Sequence, residues 1–382
     1  MQVIEINRVE ELGEYARAWD SLLEQTPGAS FFQSRQWLAA YWKHYGATQR
    51  LRALIVVEND RPTGILPLTV LTEKTKVGRL RFLTYPLHNW GSFYGPTGQY
   101  PPAVLRAGLE YVRQTPRDWD VLELRWHGGV SGETYDAGAA MTAAGFPPYR
   151  TVWDRTSIVD IVGTWDDYCS TRKSAWLRRF HAAERKLREL GKLEYIRWRP
   201  AGARLGDGLP RWDLYDACER LAAKTWQAEA KNGTTLSDDP VRGFLREVHE
   251  AAAAGGAVDV NLLTVGGEPA AFIYGYHWRG CGYGLRRGYD PRVAREGAGN
   301  VLLEYTLRDS FARGDSVYDM GIGSLESKRH FQSRLAPIFR YSHIPPGAVR
   351  AQPLRLKRWW QSQRTPSFTA VGRVQDFAAD SR

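Results

Sequence analysis

Apolar positions along this chain follow two different periods. Leu51-Arg52-Ala53-Leu54-Ile55-Val56-Val57 and Gly64-Ile65-Leu66-Pro67-Leu68-Thr69-Val70-Leu71 are apolar runs of strand length. They flank the turn-forming Asn59-Asp60-Arg61-Pro62, and the pattern predicts a β-hairpin. Pro67 inside the second run suits an edge strand or a bulge. Before the hairpin, residues 9–24 and 34–45 have helical spacing, with Trp37, Tyr41 and Tyr45 along one side of the second segment. After it come a loop rich in glycine and aromatics over 88–100, a helix starting near Pro101-Pro102, and a short strand at Val121-Leu122-Glu123-Leu124. The predicted order is helix, helix, strand, strand, loop, helix, strand.

The second half repeats this order. Helices are expected at 212–230 and 240–254, strands at 258–265 and 270–278, and the turn Gly266-Gly267-Glu268-Pro269 joins the two strands. A strand at 282–289, a loop, a helix from about 299 to 313 and a strand at 316–320 complete the repeat. Each hairpin turn has a proline just past it, although little residue-by-residue identity links the halves. A duplicated α/β unit follows, with one unit over 1–155 and a second over 156–345. Between them, Trp176, Phe180, Ala183, Leu187 and Leu190 recur at helical spacing within 172–190, while Arg172, Lys173, Arg178, Arg179, Arg185, Lys186 and Arg188 occupy the other faces. That is an amphipathic helix docked through its aromatic stripe, or alternatively an anion-binding helix. Residues 346–382 read as a basic aromatic tail, partly disordered, with Leu356-Lys357-Arg358-Trp359-Trp360 at its centre.

Composition narrows the class. In 382 residues, 43% hydrophobic and 12% aromatic content supports a globular fold with material for two cores, and excludes a solvated polyelectrolyte. No apolar run approaches the roughly 18 residues of a membrane span, and Met1-Gln2-Val3-Ile4-Glu5 lacks a secretory layout, so a cytoplasmic protein is expected. Cys169, Cys218 and Cys281 are scattered, which points to neither disulfides nor zinc. The net charge of +10 suits an anionic partner without choosing among a nucleotide carrier, a nucleic acid and a membrane surface.

Several chemistries are absent from the motifs: there is no phosphate loop, no His-Glu-x-x-His and no Gly-x-Ser-x-Gly. Asp319-Met320-Gly321-Ile322-Gly323 begins like a dinucleotide fingerprint, but Glu326 stands where a third glycine belongs. The informative stretch is Tyr289-Asp290-Pro291, then Arg295-Glu296-Gly297-Ala298-Gly299-Asn300, then an apolar helix. A glycine turn opening a helix brings backbone N–H groups and the positive end of the helix dipole to an anion.

Here the sequence resembles the GNAT superfamily, in which such a turn holds the pyrophosphate of acyl coenzyme A. Gly297 and Gly299 match the two small positions, while Ala294 stands where that family has Arg or Gln and Arg295 falls one residue late. A closer resemblance is to the cellulose-biosynthesis-type (CelD/BcsL) acyltransferases, which are similar to the FemAB aminoacyl transferases. It rests on Phe31-Phe32-Gln33-Ser34-Arg35-Gln36-Trp37-Leu38, Trp42-Lys43-His44-Tyr45-Gly46, Ala270-Ala271-Phe272, Tyr289-Asp290-Pro291 with 297–303, and Tyr318-Asp319-Met320-Gly321 with Lys328.

The resemblance implies two tandem GNAT-like domains, each a mixed α/β sheet flanked by helices. It also implies acyl transfer from acetyl or other acyl coenzyme A, without a metal, to an amine or hydroxyl of a small-molecule, glycan or peptide acceptor in polysaccharide or cell-envelope biosynthesis. Arg295, Gly297, Ala298, Gly299 and Asn300 would hold the carrier phosphates. Asp319 could take a proton from the attacking group and Lys328 could steady an oxyanion; equally, Asp319 could cap the next turn and Lys328 be solvated. His330 is a further candidate base. Trp90, Tyr94, Trp226 and Tyr289 could line an acceptor cleft, although core aromatics need no such explanation. Two rivals stay open: a tRNA-dependent aminoacyl transferase and a non-catalytic binding module.

Overall fold

A computed structural model describes residues 1–87, 90–128, 130, 134–225 and 235–365. The chain begins with strand β1 (Gln2–Ile6), a short 3-10 segment, and helices α1 (Ala16–Gln25) and α2 (Arg35–Tyr45). The predicted hairpin is β2 (Arg50–Glu58) and β3 (Arg61–Thr75), followed by β4 (Gly78–Thr84), α3 (Pro101–Gln114), β5 (Val121–Gly128), α4 (Ala137–Ala143) and β6 (Tyr149–Asp160). Next come α5 (Trp165–Ser170), α6 (Ser174–Leu190), β7 (Leu193–Trp198), α7 (Trp212–Ala222) and α8 (Asp239–Ala254). The strands β8 (Val258–Val265), β9 (Glu268–Trp278) and β10 (Cys281–Tyr289) lead to α9 (Ala298–Arg313), β11 (Val317–Ile322), α10 (Leu325–Lys328), β12 (Arg334–His343) and α11 (Gln352–Ser362).

These elements form two compact units, one of Met1–Arg155 with the described residues from Ala336 onward, the other of Thr156–Leu335. In the first, the strand order is β1-β2-β3-β4-β5-β12 with the start of β6 beside β12. The pairs β1–β2, β2–β3, β3–β4 and β5–β12 are antiparallel and β4–β5 is parallel. In the second, β7, β8, β9 and β10 form an antiparallel meander, β10 pairs with β11 in parallel, and β11 pairs with the end of β6. Each unit is thus a mixed sheet flanked by helices.

Local chemistry accounts for the hairpins. Two-residue turns that match strand twist need positive φ at both central residues, and Asn59-Asp60 (φ 49° and 59°) and Gly266-Gly267 (φ 60° and 84°) supply it. Pro67 departs from the expectation of an edge or bulge, because β3 lies between β2 and β4. It is tolerated since β4 first pairs with β3 at Thr69, so Pro67 faces no β4 partner.

Helix α6 docks through its stripe, as the spacing predicts. Phe180 and Leu187 are buried in one cluster with Ala298, Val301, Leu302 and Phe331. The Trp176 ring meets Phe331 edge-on at 5.2 Å. Leu190 differs: it is exposed, because α6 ends there and the chain turns away at Gly191. Phe180→Ala is expected to cost about 3 kcal/mol in chemical denaturation, against about 0.5 or less for Arg185→Ala on the exposed side. Equal stability of the two variants would place Phe180 outside the core.

Candidate active site

The site grows from the parallel pair β10 and β11. Their pairing runs from Cys281↔Val317 to Tyr283↔Asp319 and then stops, although β10 continues to Tyr289 and β11 to Ile322. Just past the last pair, β10 carries a bulge between Gly284 and Arg286 against β9. Bulges bend a strand and re-aim its side chains. Gly321 (φ 78°) lets the backbones stay close at the branch point: a Cβ there would lie 2.8 Å from the Gly284 carbonyl oxygen. Beyond it the two strands form a fork.

Strand alternation assigns the fork's faces. Arg287 pairs with Ile273 and Tyr289 with Ala271, and both partners belong to the cluster that contains Ala298 and Val301 of α9. On this face stands the glycine turn. Gly297 is the N-cap of α9, in the left-handed conformation at φ 81°, and a Cβ on Gly299 would meet Tyr289 Cδ1 at 3.1 Å. Ala298 is buried, while Arg295 and Asn300 are exposed. The first amides of a helix are directed outward from its end; here the Asn300 amide donates to the Gly297 carbonyl at 2.9 Å and the Gly297 amide to that of Ala294, so the outward-directed amides are those of Ala298 and Gly299. Helix α6 borders this turn: Ala183 limits the space at Gly297, and Lys186 pairs with Glu296 at 3.6 Å.

The opposite face carries Arg286, which pairs with Tyr274, and Asp319, which pairs with Tyr283. Asp319 is buried, and its Oδ1 accepts hydrogen bonds from Thr156 Oγ1 and, at 2.8 Å, from the Gly321 amide. Burial lifts its carboxyl above the usual range, opposed by those hydrogen bonds and by the charges of Lys328 and Arg334. Lys328 is buried, and its Nζ donates to the carbonyls of Gly321 at 2.7 Å and Ile322 at 2.9 Å. The ammonium thus staples the turn after β11, and the reading of it as solvated does not hold. His330 is exposed on the same loop and is held below the ordinary imidazole range by desolvation and by Arg329, Arg179 and Lys173.

Sequence reasoning overlooked the two arginines of β10. Burial lowers Arg286 to about 10, and it lowers Arg287 as well. Arg287 donates from Nη2 to Ser327 Oγ of α10. Arg286 donates from Nη1 to the Leu285 carbonyl oxygen at 2.8 Å, and a guanidinium is a group suited to an anionic ligand. Their signal was the Arg-Arg pair within Gly282-Tyr283-Gly284-Leu285-Arg286-Arg287-Gly288-Tyr289, an otherwise uncharged strand.

The remaining candidates fall elsewhere. Trp90 and Tyr94 belong to the other unit, where both are buried, and the Tyr94 ring packs on Tyr85 at 4.9 Å. Trp226 lies outside the described residues. Among the described residues no group of His, Cys, Asp and Glu could hold a metal ion.

No curated protein matches the sequence. The solved structure of FemX is 12% identical with a TM-score of 0.60, the match covering 94% of this chain and 100% of that one. A conserved protein of unknown function from Bacteroides thetaiotaomicron is 12% identical with a TM-score of 0.53, covering 90% of this chain and 100% of that chain. A C-terminal DUF2156 domain from Agrobacterium fabrum is 10% identical with a TM-score of 0.51, covering 92% and 97%. At such identities the likeness is one of fold, and it extends across both units. The family model described as an acetyltransferase (GNAT) domain matches residues 174–329, a span that holds the fork, the glycine turn and both arginines.

Proposed function

We propose that the unit 156–335 transfers an acyl group from acyl coenzyme A to an amine or hydroxyl of an acceptor by direct attack. The observation that carries this reading is the fork between β10 and β11, with the glycine turn that opens α9 on one face and a buried carboxyl on the other. Carrier phosphates at Gly297, Ala298, Gly299 and Asn300, assisted by Arg287, leave the thioester arm free to pass between the parted strands. The acyl carbon then meets the acceptor on the face of Asp319 and Arg286. The acceptor's nitrogen or oxygen forms a bond to that carbon, the carbon–sulfur bond breaks, coenzyme A leaves as its thiolate, and the acceptor's proton goes to Asp319. Holding the reactants together supplies much of the rate, and proton removal supplies the rest. Lys328 acts by fixing the turn that follows Asp319, and His330 is the alternative proton acceptor. The acceptor class expected from the resemblance is a glycan, a peptide or a small amine of polysaccharide or envelope synthesis.

The test is Gly299→Val. A Cβ at this position lies against Tyr289, so the branched side chain fills the approach to the first-turn amides. In a thermal-shift and calorimetric series against acyl coenzyme A of different chain lengths, the variant is expected to bind at least about tenfold more weakly, a loss of about 1.4 kcal/mol, with the fold of the unliganded protein retained in circular dichroism. Unchanged affinity would move the carrier site elsewhere.

A second reading is favoured by α6, where Lys173, Arg178, Arg179, Arg185, Lys186 and Arg188 are exposed and the helix borders the glycine turn. A tRNA carrier would meet these residues through its phosphates. Retention by tRNA that falls steeply with salt supports it; stabilisation by acyl coenzyme A with indifference to tRNA supports the first.

A further inference from the structure

Helix α11 is inverted relative to an ordinary surface helix. Its inward face holds a buried arginine: Arg358 donates to Glu123 Oε2 at 3.0 Å from Nη2 and at 3.2 Å from Nε. Only Leu354 from this helix packs against the cluster of Leu80, Phe82 and Val121. The large apolar side chains point away instead: Leu356 is 65% exposed, Trp359 48% and Trp360 50%, and with Pro353 and Lys357 they line a shallow groove. An amphipathic helix normally buries its apolar stripe, and contiguous exposed apolar surface marks an interaction site.

Charge identifies the occupant. Residues 349–365 carry Arg350, Arg355, Lys357, Arg358 and Arg364 and no Asp or Glu, and of these Arg358 pairs with Glu123, a carboxylate it shares with Arg125. The Arg364 guanidinium stands 3.7 Å from the Trp360 ring centre. A second copy of so basic a face would be repelled. Tryptophan settles at the boundary between lipid headgroups and acyl chains, long basic side chains reach from there to anionic headgroups, and the two act together in helices that lie in the interface. We propose that α11 is a peripheral docking helix that rests on an anionic lipid surface through Leu356, Trp359 and Trp360. Among the described residues no helix is long and apolar enough to cross a membrane, so the contact is one of lying on the surface. The proposal stands independently of the transferase reading.

The test is co-sedimentation of the full chain with phosphatidylcholine vesicles made with and without phosphatidylglycerol. Binding is expected to the anionic vesicles alone and to weaken as salt rises. The exposed double variant Trp359→Ser with Trp360→Ser should reduce it by about tenfold, as should Lys357→Glu with Arg364→Glu. Circular dichroism of both variants should match the wild type. Absence of binding, equal binding to neutral vesicles, or binding unchanged by the tryptophan variant overturns the proposal. So does a dimer in light scattering that the tryptophan variant dissolves, since the face would then belong to a second copy.

Discussion

Asp319→Asn is expected to lower turnover by roughly 100- to 10,000-fold while donor and acceptor bind nearly normally, the range typical for loss of a general base. The asparagine keeps the shape and can still accept hydrogen bonds from Thr156 and the Gly321 amide through its carbonyl oxygen. What it loses is the ability to take a proton. Burial raises the wild-type carboxyl, the direction that suits a group proposed to take a proton near neutral pH. The sign of the pH dependence follows. Activity should rise with pH as Asp319 ionises, and that limb should vanish in the variant. A merely structural Asp319 would instead give a less stable enzyme with the same pH profile. Wild-type turnover in the variant would transfer the role to His330 or to an ordered water.

The other large effect concerns stability. Asp259→Ala should destabilise the protein by about 3–5 kcal/mol, the range for removing one partner of a buried ion pair. Asp259 is buried on β8, where its Oδ2 accepts from Arg197 Nη2 at 2.8 Å and from Arg199 Nη2 at 2.9 Å. The side chain of Arg197 is 1% exposed and that of Arg199 8%, so the variant leaves two guanidiniums short of a counter-charge away from water. Asp315 at 2.8 Å from Arg199 and Asp309 at 2.9 Å from Arg197 compensate only in part. Burial alone would raise the Asp259 carboxyl, but the two arginines hold it well below the ordinary carboxylate range. A depressed pKa contributes stability that is present above the unfolded value of 3.8 and lost as pH falls through the folded one. Urea denaturation at pH values stepped downward from 7 should therefore show the gap between wild type and variant constant above about pH 5 and closing in acid. A gap that widened in acid would refute the assignment.

Much of the architecture was legible in the sequence because it is governed locally. Left-handed turn residues at Asn59-Asp60 and Gly266-Gly267 define hairpins wherever they occur. The apolar run after Gly297 defines α9, and the spacing of Trp176, Phe180 and Leu187 defines the inward side of α6. The strands that escaped were those whose partners are remote or whose faces are mixed. In β7 partly buried and exposed residues alternate from Leu193 to Arg197, since it is an edge strand, and Leu193 and Tyr195 pack against the core cluster. Strand β12 pairs with β5 across some two hundred residues, a register that no nearby residue announces.

The site divides along the same line. Sequence by itself determined the glycine turn at 297–299, the carboxylate just before Gly321 and the basic character of α6, because each is a property of a short segment; β11 runs on to Ile322, so Asp319 stands within the strand and not at its close. Only the tertiary structure decided that β10 and β11 part after Tyr283 and Asp319, for that depends on a bulge and on the close approach of Gly284 and Gly321. It alone brought Thr156 to Asp319, turned Lys328 inward onto the carbonyls of Gly321 and Ile322, and put Arg286 on the face of Asp319 and Arg287 on the face of the glycine turn. The physical reason is that burial and charge pairing depend on long-range contacts: a residue's chemistry is set by what surrounds it in space, and periodicity can report which side of an element faces inward but not what waits there.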